Sequence, residues 1–307
     1  MSPAAPATAL RTRWTAHLRV YESAQILVPG IVGMLAAGTL PSWPRALLYL
    51  VTYAAHVLSV YSYNDYCDHE SDSDNPRKSV EPPTSRRRLA SQTVLLLTLF
   101  LIGAAVLRSR AGVLLLVAQL VCMAYSHPRI RLKGRLLGGE LAHFVAGALY
   151  FASGVSMVDV ALKPHALGAL TFGLLYVSGG TVNEILDFEP DRRARLSHLV
   201  VRIGRRRGLQ LVQLLHYVCM LLLALHWPTT PMIVAILVAA ASYAAATRGL
   251  SGRAGSEREL LRFRRHYRVI FAALLLVLCT SRAAEIVRGE TTAGQKTGEA
   301  DVARVER

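Results

Sequence analysis

Two stretches of the sequence carry the same arrangement of acidic and amide side chains. Residues 64–72 read NDYCDHESD, and residues 183–191, which begin 119 positions later, read NEILDFEPD. Both fit the pattern N-(D/E)-x-x-D-x-x-x-D, and side chains that are four positions apart share one face of a helix. Each copy is therefore predicted to present three oxygen-bearing side chains to one site: Asn64, Asp68 and Asp72, and Asn183, Asp187 and Asp191.

Carboxylate and amide oxygens are the ligands that Mg²⁺ prefers, and Mg²⁺ often bridges protein carboxylates to the phosphates of a substrate. These six residues and Glu184 are therefore predicted metal ligands, and Asp65 is a predicted catalytic residue. A single acidic stretch could equally well be a solvated helix end. Two copies, each next to an apolar segment, favour a functional site, because acidic groups at the ends of membrane spans are costly unless they are used.

Basic residues lie close to both acidic copies. Residues 125–133 read YSHPRIRLK and hold three cations close together, of which Arg129 and Lys133 are predicted to assist departure of a diphosphate. Tyr125, which begins this stretch, is a further predicted catalytic residue. The cations that follow the acidic copies are predicted to bind the same diphosphate: Arg77, Lys78 and Arg192. A loop that is basic only because it faces the cytoplasm is the alternative in each case.

Aromatic and polar side chains also occur on the apolar segments. Tyrosine faces attract cations, so a cavity could be lined by Tyr61, Tyr63, Tyr66, Tyr125, Tyr150 and Tyr176, although an interfacial belt explains each of them as well. An acceptor molecule would need a polar anchor, for which the candidates are His56, Glu140, His143 and Ser178. Each of these four could instead be a satisfied core residue.

The elements that position these residues are predicted to be membrane-spanning helices. The 307 residues are 52% hydrophobic and only 18% charged, and long apolar runs approach the roughly 20 residues that cross a bilayer. Nine spans are predicted, near 24–40, 44–63, 93–107, 111–126, 138–157, 166–183, 209–226, 230–247 and 266–284. Strands are not expected, because these runs are too long and too uniformly apolar for a membrane barrel.

The net charge of +15 is distributed over alternate connections. Of 35 basic residues, 26 lie in the N-terminal arm and in the connections 64–92, 127–137, 189–208 and 248–268. This asymmetry predicts that these segments face the cytoplasm, and it argues against a nucleic-acid partner. No removable signal peptide is expected, and the four scattered cysteines indicate neither disulfides nor a zinc site.

The order of the motifs resembles the UbiA superfamily of intramembrane prenyltransferases. The resemblance covers most of the chain: an N-D-x-x-D-x-x-x-D motif after the second helix, a Tyr-containing basic loop after the fourth and a second acidic motif after the sixth. Residues 183–204, NEILDFEPDRRARLSHLVVRIG, match the second motif and its basic tail. Arg129 replaces the Lys that ends the family's Y-x-x-x-K motif, and Arg195, Leu196, Ser197 and His198 replace its Gly-Lys-Arg-Thr-like stretch.

The resemblance implies an all-α membrane protein of about nine helices around a central cavity, with two related halves and the site at the cytoplasmic mouth. It also gives Asn64, Asp68, Asp72, Asp187 and Asp191 the role of binding Mg²⁺ and diphosphate. The predicted division is a cytoplasmic arm (1–22), a transmembrane prenyltransferase domain (23–287) and a polar, disordered tail (288–307).

The predicted function is Mg²⁺-dependent transfer of a prenyl group from an isoprenoid diphosphate to an acceptor, expected to be aromatic, at the cell membrane. Residues 78–84, KSVEPPT, lack the Arg-Pro-Ile segment of many quinone-pathway members, which favours specialised metabolism. Two alternatives remain open. One is a terpene cyclase of the same superfamily, and the other, less favoured, is a membrane transporter with duplicated acidic motifs.

Overall fold

A computed structural model describes residues 20–70, 85–193, 196–248 and 256–305, and the side chains within 25–70, 85–193, 196–248 and 256–289. The described residues form helices and no strand. The longer helices are α1 (Val20–Ala36), α2 (Trp43–Cys67), α3 (Arg86–Leu107), α4 (Arg110–Ser126), α5 (Gly138–Val155), α6 (Ala166–Leu186), α9 (Arg205–His226), α10 (Thr230–Thr247) and α11 (Glu257–Val305). Two short helices, α7 (Phe188–Arg193) and α8 (Leu199–Ile203), connect α6 to α9.

The starts of several helices follow from the local sequence. Pro44 lies in the first turn of α2 and Pro231 in that of α10, where a residue without an N–H donor leaves no helical hydrogen bond unmade. Ser85 begins α3 by accepting a hydrogen bond from the Arg88 N–H at 3.3 Å. The predicted spans 44–63 and 230–247 begin within one residue of α2 and α10, whereas α3 begins at Arg86, before the predicted residue 93.

Six helical segments are long and apolar enough to cross a membrane: 43–67, 86–107, 163–186, 205–226, 230–247 and 257–289. Many of their large apolar side chains are exposed, among them Leu95, Ile102, Leu221 and Leu237. An apolar exterior of this kind suits lipid rather than water. The all-helical membrane fold is therefore confirmed for the described residues, whereas the number of nine spans stays a prediction.

The buried side chains form two apolar clusters that correspond to two halves of the molecule. One cluster contains residues of all five helices from α1 through α5 and is centred on Tyr49, Tyr53 and Phe100. The other joins α6 and α9–α11, together with parts of α1 and α5, around Phe172, Tyr243 and Phe271. α5 packs closely on α6 and thereby holds the two halves together.

The limits of the predicted domains stay predictions. Helix α11 extends to Val305 and so includes most of 288–307, the range assigned from sequence to a tail. The arm before residue 20 lies outside the described residues.

Candidate active site

The two acidic motifs lie at equivalent helix ends. Asp68 is the residue that ends α2, with φ −94° and ψ 1°, and Asp187 ends α6 with φ −92° and ψ 7°. The N–H of Asp68 donates to the Asn64 carbonyl and that of Asp187 to the Asn183 carbonyl, both at 2.9 Å. The repeat in the sequence is thus a repeat in backbone geometry.

The helix ends within each motif, so its members do not share one uninterrupted helical face. After α6 the chain restarts in α7, where Pro190 lies in the first turn and is tolerated there. The Asp191 N–H donates to the Asp187 carbonyl at 2.9 Å, which keeps the two residues one turn apart. In the first motif, Asp72 lies outside the described residues, as do the predicted diphosphate-binding residues Arg77 and Lys78.

Lys133 is the cation that the structure brings to the first motif. Its Nζ donates to both carboxylate oxygens of Asp68 and lies 3.4 Å from Asn64 Oδ1. Ser126 Oγ also donates to Asn64 Oδ1, at 2.7 Å. These contacts fix the orientation of the Asn64 amide and place a positive charge against the Asp68 carboxylate, which is buried.

The connection between α4 and α5 explains why Lys133, and not Arg129, reaches the motif. Arg131 adopts φ 43°, in the left-handed region, and a short 3₁₀ turn at Leu132–Gly134 follows. This reversal directs Lys133 back toward α2, whereas the Arg129 side chain is exposed. A catalytic role for Arg129 stays a prediction.

The second motif is held by a histidine that the pattern analysis noted only as a departure from the family. His198 is buried, its Nε2 lies 2.9 Å from Asp191 Oδ2, and its Nδ1 lies 3.1 Å from Glu184 Oε2. Burial by itself lowers the pKa of His198, but the contacts with Asp191 and Glu184 outweigh it and raise the pKa to about 9. At neutral pH His198 is therefore a cation that makes a hydrogen bond with Asp191 and an ion pair with Glu184.

Both motifs converge on Tyr125, at the end of α4. Its ring centroid lies 6.0 Å from Lys133 Nζ and 5.0 Å from the His143 ring. Its hydroxyl interacts electrostatically with carboxylates from both motifs and from α5: Glu184, Asp68, Asp191 and Glu140. A side chain at Gly139 would lie 3.4 Å from Glu184 Oε1 and 3.7 Å from the Tyr125 ring, so the start of α5 lies directly against this site.

Other predicted site residues occupy its margin. Arg192 is largely exposed and forms an ion pair with Glu189 at 3.6 Å, and Asn183 is exposed. Asp65 and Asp187 are partly buried and have interactions of their own. These four residues therefore lie in or beside the motifs, and the function predicted for each of them stays a prediction.

The predicted tyrosine cavity is only partly reflected in the packing. Tyr150 of α5 lies 5.1 Å from Tyr53 of α2 and 5.5 Å from Tyr176 of α6, measured between ring centroids. The Tyr66 ring instead lies under the guanidinium of Arg86, whose Cζ is 5.0 Å from the ring centroid. An aromatic layer thus connects α2, α5 and α6 within the bundle.

The donor set suits Mg²⁺, although within the described ranges no three His, Cys, Asp or Glu residues are arranged to hold a metal ion. The oxygens of Asn64, Asp68, Glu184 and Asp191 are hard ligands. In each motif they lie against a side-chain cation, Lys133 or His198. Two clusters that both bring positive charge to their carboxylates are consistent with sites for metal ions and a diphosphate.

By its fold and its site, this chain is an all-helical membrane protein with paired acidic motifs at helix ends. The family model described as the UbiA prenyltransferase family matches residues 26–280. The chain belongs to this family and is a prenyltransferase, so the resemblance seen in the sequence is confirmed.

Known proteins similar to this chain include two curated proteins from Corynebacterium glutamicum, both named lycopene elongase/hydratase. Each is 30% identical over 202 residues, which covers 61% of this chain and 67% of theirs.

Solved structures with the same fold include a UbiA homolog from Aeropyrum pernix K1, with a TM-score of 0.67 and 17% identity over 89% of this chain and 99% of that one. A UbiA homolog from Archaeoglobus fulgidus bound to DMAPP and Mg²⁺ has a TM-score of 0.64 and 20% identity over 87% and 99% of the two chains.

Proposed function

We propose that this prenyltransferase uses Mg²⁺ to ionise an isoprenoid diphosphate between its two acidic motifs and transfers the prenyl group to an unsaturated hydrophobic acceptor. The observation that carries the proposal is the convergence of both motifs on Tyr125, through Asp68, Glu184 and Asp191. Lys133 supplies the cation of the first motif and His198 that of the second. Carboxylates that bind metal ions and cations that bind phosphate oxygens are both needed to hold a polyanionic substrate, and this site brings the two kinds of group together.

The chain's own residues would hold the metal ions and the diphosphate. When bound, Mg²⁺ would neutralise the charge that develops on the departing diphosphate. Asn64, Asp68, Glu184 and Asp191 would supply its protein oxygens, with Asp72, Asn183 and Asp187 as further predicted ligands. Lys133 is a flexible point charge that contacts Asp68, so it can turn toward a diphosphate beside the same carboxylate.

Tyr125 is placed to stabilise the allylic cation that remains. An aromatic face attracts a cation without forming a bond to it, and Lys133 Nζ already lies 6.0 Å from this ring. The C1 carbon of the prenyl group is one bond away from the leaving oxygen, so a ring next to the diphosphate is next to the cation.

The acceptor is proposed to be an electron-rich carbon compound. The sequence favours an aromatic ring, whereas the names of the C. glutamicum relatives favour a polyene. Both react in the same way, because a π bond attacks C1 of the prenyl group. In the cyclase alternative, a double bond of the same prenyl chain attacks. We also propose a role in specialised metabolism, in the cell membrane, with the site open to the cytoplasm.

The experiment uses purified full-length protein in nanodiscs, supplied with prenyl diphosphates of increasing chain length and with either an aromatic or a polyene acceptor. Products are analysed by mass spectrometry with Mg²⁺, with Mn²⁺ and in excess EDTA. We expect a prenylated acceptor with either metal ion and none in EDTA, because the carboxylates and the diphosphate otherwise repel one another. Full turnover in EDTA would exclude the proposed role of the metal. Steady formation of a cyclic terpene that no acceptor accelerates would establish the cyclase.

A further inference from the structure

Glu140, on the first turn of α5, is a buried carboxylate for which the fold supplies no hydrogen bond. Its residue is 8% exposed, and neither carboxylate oxygen has a hydrogen-bond partner. The backbone amides of Glu140 itself and of Leu199 lie near enough to interact with the carboxylate but do not meet hydrogen-bond geometry. Leaving a buried polar group unpaired is costly, and more so when the group is charged. A group retained at such a cost is expected to act on a ligand.

The position of Glu140 indicates that this ligand is one of the reacting molecules. The charged groups that act on it are Glu184 of the second motif and His198, the cation that contacts that motif. Glu140 also acts on Tyr125, where both motifs converge. It lies on α5, however, and belongs to neither acidic motif. Glu140 therefore borders the diphosphate site from the side of a separate helix.

Two of the other polar residues considered as acceptor anchors are already engaged inside the bundle. His56 makes hydrogen bonds with Gln119 at 2.6 Å and with Tyr150 at 2.9 Å. Ser178 makes a hydrogen bond of 2.5 Å with His216, which in turn contacts the Tyr243 hydroxyl at 2.7 Å. Both residues are satisfied by the fold, whereas Glu140 is not.

We propose that Glu140 is the catalytic base of the transfer step, an assignment that rests on the proposed function. The bond between C1 and the diphosphate oxygen breaks, and its electron pair leaves with the diphosphate. A carbon of the acceptor's π bond then joins C1 and leaves a cation on the other carbon of that bond. A carbon next to this cationic centre, such as the newly bonded one, loses a proton to a Glu140 carboxylate oxygen, and its C–H electron pair forms the new double bond. Since the new bond forms at C1, the proton is released beside the diphosphate, where Glu140 lies.

The test separates ionisation from proton removal. Ionisation alone is measured as exchange of an ¹⁸O label between the bridging and non-bridging positions of the prenyl diphosphate, without acceptor. Transfer is measured with acceptor, and metal affinity by Mn²⁺ titration with electron paramagnetic resonance. Glu140→Gln is compared with Glu140→Asp, which keeps a carboxylate, and with Asp159→Asn, which changes an exposed carboxylate outside the site.

We expect Glu140→Gln to slow transfer by about 100-fold or more, the usual contribution of a general base. Isotope exchange and Mn²⁺ affinity should stay within about twofold of wild type, because the metal and diphosphate ligands are unchanged. Glu140→Asp should recover part of the transfer rate, and the melting temperature of Glu140→Gln should not fall, because the variant removes an unpaired buried charge.

Three results would overturn the assignment. Unchanged transfer in Glu140→Gln would show that the carboxylate has no role in the reaction. Loss of isotope exchange together with Mn²⁺ affinity would make Glu140 a metal ligand. If the wild-type protein caused no label exchange in any of the prenyl diphosphates and prenylated none of the acceptors, the proposed function itself would fail, and the assignment with it.

Discussion

At the scale of single residues, each acidic motif has its own cation. Lys133 contacts Asp68 and Asn64 in the first motif, and His198 joins Asp191 to Glu184 in the second. These cations come from the connections after α4 and after α7, and not from the motifs themselves. The negative charge of the carboxylates is therefore partly neutralised before any metal ion or substrate arrives. Because each motif has a different cation, single substitutions can test the two motifs separately.

The metal ligands are tested by Asp68→Asn and Asp187→Asn, with Asp159→Asn as the matched control. Each of the first two variants removes a predicted ligand but keeps the size of the side chain, so we expect turnover to fall at least about 100-fold while membrane insertion is kept. The Asp159 side chain is 97% exposed, and its ion pair with Arg110 is long, at 3.9 Å. An exposed pair of this kind contributes little, so the Asp159→Asn variant should retain wild-type turnover. Equal losses in all three variants would indicate a folding defect instead.

The cation of the first motif is tested by Lys133→Met against Arg129→Met. We expect Lys133→Met to lower kcat/KM for the diphosphate by about 10- to 100-fold, since it removes one charge-assisted contact of about 1.5–3 kcal/mol. Arg129→Met should have a much smaller effect, because the Arg129 side chain is exposed. The opposite order in steady-state kinetics would restore Arg129 as the functional end of the Y-x-x-x-K motif.

His198 should make the stability of the metal-free protein depend on pH. Its pKa is about 9 in the folded protein and 6.5 without the fold, so its stabilising contribution is complete below about pH 6.5 and is lost as the pH rises through 9. Melting temperatures in detergent with EDTA should fall across this range in the wild type and fall less in His198→Gln. Parallel curves for the two proteins would show that His198 carries no charge at neutral pH.

At the scale of helices, the close packing of α1 on α5 decides how firmly α5 is held beside the site. The two backbones touch where glycines face each other: a Cβ at Gly154 would lie 2.0 Å from the Gly30 carbonyl oxygen, and one at Gly33 would lie 2.2 Å from the Phe151 carbonyl oxygen. Small residues at such crossings let membrane helices approach closely. These contacts lie near the end of α5, so they anchor to α1 the helix whose first turn carries Gly139 and Glu140.

This packing predicts that Gly154→Ala destabilises the protein by about 1–3 kcal/mol, because the two backbones must separate to admit a methyl group. Gly179→Ala on α6 is the control, since no atom lies within 4 Å of a Cβ at that position. Melting temperature in detergent measures both variants. A loss of stability in the control but not in Gly154→Ala would contradict the described contact between α1 and α5.

The helices and the repeated motif could be predicted from sequence, because apolar runs and fixed spacings are local signals. The partners of the motifs could not. Lys133 reaches Asp68 only because the backbone reverses at Arg131, a non-glycine residue with positive φ, and no spacing rule anticipates that. His198 lies seven residues beyond Asp191, and its contacts depend on the short helix α7. Both are tertiary contacts through irregular connections.

At the scale of the whole molecule, two related halves place one acidic motif each at the same end of the bundle. The connections after α2, α4 and α6 carry the motifs and their cations, whereas Asp159 and Lys163 lie in the connection between α5 and α6. Since consecutive long helices alternate in direction across a bilayer, the α5–α6 connection belongs on the opposite side from the site. The excess of Lys and Arg in the motif-bearing connections predicts that their side faces the cytoplasm.

This orientation predicts which introduced cysteines a membrane-impermeant maleimide reaches in intact cells. In a background in which Cys67, Cys122, Cys219 and Cys279 are replaced, Lys163→Cys should be labelled from outside, and Arg135→Cys should be labelled only after the membrane is permeabilised. Both side chains are exposed, so accessibility within the fold does not separate them. Isoprenoid diphosphates are too polar to cross a bilayer unaided, so a site supplied from cytoplasmic pools must open on that side. Labelling of Arg135→Cys but not Lys163→Cys in intact cells would reverse the topology and place the diphosphate site outside the cytoplasm.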